Sequence, residues 1–164
     1  MRGYRLLSLP GFSGALLLLA ASYDEALAPA SPQYLVQVLA QDALAGPVAA
    51  TVQRVVDGDT IDVRASIWLG QTLNVRVRID GVDAPELQGR CPEERRLAVA
   101  ARDFLTQRLE GAEVTLTQVV YDKFGGRVRA DVADAKGDVA TALLSAGLAR
   151  PYQGQRREPW CPGP

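Results

Sequence analysis

The chain has 164 residues, 48% of them hydrophobic, and a formal net charge of −1: one globular domain's worth of sequence, with no bulk basic field to hold it on a polyanion, so any such contact must be local. Histidine is absent and the cysteines number two, Cys91 and Cys161, which excludes Ser-His-Asp triads, histidine general bases, histidine-ligated metals and four-thiolate zinc sites. Acid–base chemistry therefore falls to carboxylates. A bound metal would be held by oxygen, which favours Ca2+ or Mg2+. Of the 18 basic residues 16 are arginine, a bias that suits bidentate phosphate contacts and that GC-rich coding would equally produce.

In chain order, residues 1–30 carry Arg2 and Arg5, an apolar run over 12–21 and a small-residue end at Ala28-Pro29-Ala30. This is the layout of an export signal, and it predicts a periplasmic or secreted protein with no stable membrane span after cleavage. An uncleaved N-terminal anchor is the alternative, although the run is short for a bilayer. Residues 31–47 are expected to be a spacer, with Ala43-Leu44-Ala45 a second possible cleavage point.

A domain over 48–152 follows. The runs 48–56, 61–68 and 73–80 are strand-like, separated by Asp57-Gly58-Asp59 and a turn at Gly70. In the third, Leu73, Val75, Val77 and Ile79 share one face; Arg76 and Arg78 share the other, which reads most simply as a solvated outer face. Residues 92–110 form a predicted helix: Pro92 suits its first position, Glu93 and Glu94 its positive end, and Gly111 stops it. Its expected buried stripe is Leu97, Ala101, Phe104, Leu105 and Leu109. Strands at 113–121 and 127–132, a helix at 139–146 and a polar tail over 153–164 complete the chain. The expected class is mainly β with helices (α+β): a five-stranded OB-type Greek-key barrel, one helix between strands 3 and 4 and another at the C-terminus.

Between 57 and 86, carboxylates and arginines recur around tight turns: Asp57-Gly58-Asp59-Thr60, Arg76-Val77-Arg78-Ile79 and Asp83-Ala84-Pro85-Glu86. Each piece alone reads as a turn or a helix lead-in. Together they read as a metal-assisted phosphodiester site, where a divalent cation and guanidinium groups offset charge building on phosphate oxygens and a carboxylate activates water.

These motifs, followed by Asp122-Lys123-Phe124-Gly125-Gly126-Arg127 and Gly147-Leu148-Ala149, resemble the successive signatures of the staphylococcal nuclease-like (thermonuclease) family over about residues 48–152. The resemblance implies a Ca2+-dependent nuclease that hydrolyses DNA and/or RNA with water as nucleophile; the chain is expected to be a monomer. By position, Asp59 and Asp83 would ligate calcium through carboxylates and Ala84 through its carbonyl. Glu86 would be the general base, Arg78 and Arg127 would bind the reacting phosphate, and Asp57 and Thr60 would support the ligands. Phe124 and Tyr152 would contact substrate.

This chain departs from the family pattern in three places. An extra glycine at 125–126 shifts Arg127 by one residue, leaving Arg129 as fallback; Phe124 stands for a tyrosine; and the loop at 87–92 is short. A catalytically silent OB-fold nucleic-acid-binding module, or an exported module using calcium only as a staple, is the rival reading. On the nuclease reading, Glu86→Gln and Arg78→Ala both lower turnover and leave folding intact. After export, Cys91 and Cys161 could pair, closing a loop of about 71 residues, adding roughly 4 kcal/mol of stability and pinning the tail near the site.

Overall fold

The computed structural model describes residues 43–161. The expected export segment, with all but 43–47 of the spacer, lies outside the described residues. Among the described residues nine strands and two helices follow in order: β1 (Ala43–Leu44), β2 (Val48–Val55), β3 (Thr60–Trp68), β4 (Gln71–Ile79), β5 (Val82–Asp83), α1 (Pro92–Leu109), β6 (Glu113–Tyr121), β7 (Arg127–Asp134), β8 (Gly137–Asp138), α2 (Val139–Ser145) and β9 (Arg150–Pro151).

Strands β6, β2, β3, β4 and β7 pair in that order, and β7 pairs again with β6, which closes a five-stranded barrel. Each pairing around it is antiparallel except β4 with β7, as expected for an OB-type barrel in which a helix is inserted between the third and fourth strands. Strand alternation fills the interior. Ala50 and Val52, Ile61 and Val63, Val77 and Ile79, Val114 and Leu116, and Ala130 and Val132 form one buried cluster with Leu105 and Leu109 of α1 and Val139 and Leu143 of α2.

Helix α1 buries Glu94, Ala98, Ala101, Leu105 and Leu109. The predicted stripe is therefore rotated slightly: Leu97 and Phe104 are half-buried, while Ala98 and Glu94 take the inner positions. At the far end of α1, Arg108 grips Asp134 of β7 through two bonds of 2.7 Å, with side chains 11% and 6% exposed, and its Nη2 also donates to Gly137 O at 3.0 Å. This fork fixes the helix against the barrel wall.

The two-residue strands carry no periodic signal, and two of them, β5 and β9, position the site. Ala43 and Leu44, in the expected spacer, pair with Val120 and Val119 of β6. Strand β5 pairs with β9, Val82 opposite Pro151 and Asp83 opposite Arg150, and Tyr152 N–H extends the ladder to Gly81 O at 2.9 Å. The chain after the last helix is thereby tied to the segment bearing Asp83. No helix among the described residues is long and apolar enough to cross a membrane.

Candidate active site

The link from β2 to β3 is a tight loop in which the N–H groups of Val56 and Asp57 donate to Thr60 O (2.9 and 3.3 Å) and Asp59 N–H donates to Asp57 Oδ1 (3.1 Å). Side-chain capping of this kind is why Asp-Gly-Asp forms such turns. Gly58 is required here for closeness: a Cβ on it would lie 2.8 Å from the Cβ atoms of both Ala84 and Ala101. Its absence lets the turn pack between α1 and the 83–86 loop, and Asp59 is thereby driven inside, 4% exposed.

Asp59 joins three segments. Its Oδ1 accepts from Arg78 Nη1 at 2.7 Å and from the Thr60 hydroxyl at 3.0 Å, and its Oδ2 accepts from Ala84 N–H at 3.1 Å. Burial pushes the Asp59 carboxyl up to about 6, against the pull of the Arg78 guanidinium and with a further push from neighbouring Asp57. Arg78 does stand on the same outer strand face as Arg76, but the two have different fates. Arg76 binds Asp62 in the open (2.7 and 3.1 Å), whereas the 79–84 return covers Arg78 to 7% exposure and supplies Val82 O as a further acceptor at 3.2 Å. The simple solvated-face expectation thus holds for one arginine of the pair and fails for the other.

Asp83, 4% exposed, lies 3.8 Å from Arg78 Nη2; its Oδ1 receives no aligned hydrogen bond among the described residues. A buried carboxylate oxygen with spare lone pairs, beside a second buried carboxylate that burial resists ionising, is a donor set that suits a hard divalent cation. Ala84, also buried, adds a backbone carbonyl in the same segment.

Asp59, Arg78 and Ala84 open onto a hollow of about 650 Å³ whose walls include Asp57, Glu86, Phe124, Arg127, Arg129 and Tyr152, whereas Asp83 lines a neighbouring hollow under the tail that shares Ala84 and Glu86 with the first. The opposite wall is the β6–β7 turn. Asp122 Oδ2 accepts from Arg127 Nε at 2.5 Å, and the Arg127 guanidinium lies 4.8 Å from the centroid of Phe124, whose other near cation is Lys123 at 5.2 Å. Burial alone would raise the Asp122 carboxyl; the Arg127 bond and the Lys123 N–H outweigh it and hold the group below the usual range. Phe124 and Tyr121 are 55% and 80% exposed at the rim, and exposed aromatic rings set among cations suit unpaired nucleic acid.

The parallel register places Arg129 beside Arg78 and Arg127 beside Arg76. Both candidates for the second arginine therefore reach the hollow, Arg127 held by Asp122 and Arg129 by Asp80 at 3.0 Å. The extra glycine is taken up in the turn, where Gly126 adopts φ 76° and Asp122 N–H closes onto Arg127 O at 3.1 Å.

Cys91 and Cys161 are joined by a disulfide with their Cα atoms 5.9 Å apart. Glu94 beside it is occupied as a structural acceptor: its Oε2 takes the Arg90 N–H at 2.9 Å and lies 3.3 Å from Cys161 Sγ. With its two sulfurs bonded to each other, this cluster is no metal centre. The tail held by the disulfide carries two site residues that sequence reasoning passed over: Arg157, against Asp83 and Glu86, and Trp160, whose indole N–H donates to Asp83 Oδ2 at 3.4 Å. An Arg-Arg pair four residues before a cysteine expected near the site was the available signal.

An OB-type barrel with buried carboxylates, a buried arginine and aromatic-flanked cations around one rim hollow defines a class of nucleic-acid-directed modules. The family model for staphylococcal nuclease homologues matches residues 76–160, just over half of the chain, and the chain belongs to that family, one of nucleases and nucleic-acid-binding proteins. The matched stretch holds Arg78, Asp83, Ala84, Glu86, Phe124, Arg127 and Tyr152; Asp57, Asp59 and Thr60 lie upstream and are brought in by the β2–β3 turn. A search among curated proteins found no match.

Proposed function

We propose that this protein is an exported, Ca2+-dependent nuclease that hydrolyses phosphodiester bonds of DNA and/or RNA with a carboxylate-activated water. The observation that carries the reading is convergence: Asp59, Arg78, Ala84, Glu86 and Arg127, from four separate segments, border one hollow, and Asp83, which lines the neighbouring hollow, lies 3.8 Å from Arg78 Nη2. A silent binding module needs no cluster of this composition at its rim.

Asp59, Asp83 and the Ala84 carbonyl would hold the cation, which when bound supplies positive charge to a phosphate oxygen and to the attacking water. Arg78, fixed by Asp59 and Val82 O, presents its guanidinium at a set position, so it stabilises the equatorial oxygens with little reorganisation as charge develops. Arg127 approaches from the opposite wall, with Asp122 fixing its direction. Glu86, exposed beside the hollow on a segment stiffened by Pro85, takes the proton from water. Phe124 and Tyr152 flank the path of the strand. The disulfide supports an oxidising destination, in keeping with the composition of residues 1–30.

The test is digestion of plasmid DNA and of RNA with Ca2+, Mg2+ or EDTA, using wild type, Arg127→Ala and Arg129→Ala. Cleavage is expected with Ca2+ and none with EDTA, and Arg127→Ala should lose about 10²–10³-fold while Arg129→Ala loses far less. Cleavage that persists in EDTA, or none under any condition, contradicts the proposal.

A further inference from the structure

The tail returns to the site and is fastened on several sides. Strand β9 pairs with β5, the Arg150 guanidinium stacks 3.8 Å from the Trp160 ring centroid and donates to Pro159 O at 3.1 Å, and Cys161 is bonded to Cys91 at the start of α1. Between these anchors Arg157 points inward, its Nε 2.8 Å from Asp83 Oδ1 and its Nη1 2.6 Å from Glu86 Oε1. The Asp83 side chain is 6% exposed, so the guanidinium there compensates a buried charge; the 56% exposed Glu86 end contributes little.

Resting on the function proposed above, we propose that Arg157 is an internal counter-ion which a divalent cation must displace from Asp83, so that this tail residue sets the affinity of the site for the cation. The same carboxylate oxygen that lacks an aligned hydrogen bond, and that a cation would need, faces Arg157 Nε. Release leaves the buried side chains where they are, because the Arg157 side chain is already 42% exposed and forms part of the wall between two neighbouring hollows that share Ala84 and Glu86. A site whose competent form is only partly populated binds more weakly by that fraction, and removing Arg157 removes the deficit.

Calorimetric titration with Ca2+ alone, without nucleic acid, on wild type, Arg157→Gln and Arg157→Lys reads this directly. Arg157→Gln is expected to bind Ca2+ about tenfold more tightly, Arg157→Lys to lie between, and reduction of the disulfide to tighten wild type but not Arg157→Gln. Equal or weaker binding by Arg157→Gln overturns the exchange while leaving a calcium site in place. No binding by any of the three proteins overturns the calcium site itself, and the exchange with it.

Discussion

Glu86→Gln is expected to lower the rate of phosphodiester cleavage by about 10²–10⁴-fold and to leave thermal stability unchanged. The Glu86 side chain is 56% exposed and its bonded partner in the site is Arg157, which an amide oxygen can still satisfy, so the substitution removes the proton acceptor and little else. Single-turnover cleavage at saturating Ca2+, with a thermal melt of the same samples, separates the two effects. A loss below tenfold would place the base elsewhere.

Arg78→Ala is expected to fail in both respects. Catalysis should fall by about 10²–10³-fold through loss of a preorganised donor to phosphate. Stability should also fall, by roughly 3–5 kcal/mol at neutral pH, because the buried Asp59 and Asp83 carboxylates lose the guanidinium that compensates them. Intact folding is therefore expected of Glu86→Gln alone and no longer of Arg78→Ala, because the burial of Arg78 was invisible in the strand pattern. The sign of the pH dependence is fixed by Asp59. Its carboxyl is already raised from 3.8 to about 6 in the folded protein, and Arg78 is what restrains it, so the folded state of the variant binds more protons than the unfolded state across that window. Stability then rises as pH falls from 7 through 6 towards 4. The deficit of Arg78→Ala against wild type, read from denaturant unfolding, should be larger at pH 7 than at pH 5, and Ca2+ should narrow it at pH 7. A deficit indifferent to pH and to Ca2+ would mean that Arg78 is not the counter-ion of the cluster.

What could be read in the sequence were features with a period or a fixed local chemistry. Alternation at Val75, Val77 and Ile79 marked the inner face of β4, Pro92 and Gly111 bounded α1, and the Asp-Gly-Asp turn and the Asp83–Glu86 segment stood out as chemistry. Features that depend on tertiary approach left no such trace. Glu94 reads as a first-turn acid, yet its carboxylate is buried against Gly89, where a Cβ would come within 2.6 Å of the glutamate's Cγ and Cδ. The β5–β9 pairing is a backbone event between two-residue strands with no hydrophobic pattern to announce it. Arg157 lies in a polar, aperiodic tail and becomes a site residue through the ladder at Asp83 and the disulfide. The side-by-side register of β4 and β7, which brings two arginines to the same hollow, could not be deduced from either strand alone.

The central claim is that one cation and one phosphate meet between the buried carboxylates and Arg78. A crystal structure of Glu86→Gln grown with Ca2+ and a short oligonucleotide tests it most directly. The expected result is a cation within about 2.3–2.6 Å of carboxylate oxygens of Asp59 and Asp83 and of the Ala84 carbonyl, with a backbone phosphate bridging it to Arg78. A cation bound elsewhere, or a strand whose phosphates bypass Arg78, would contradict the account.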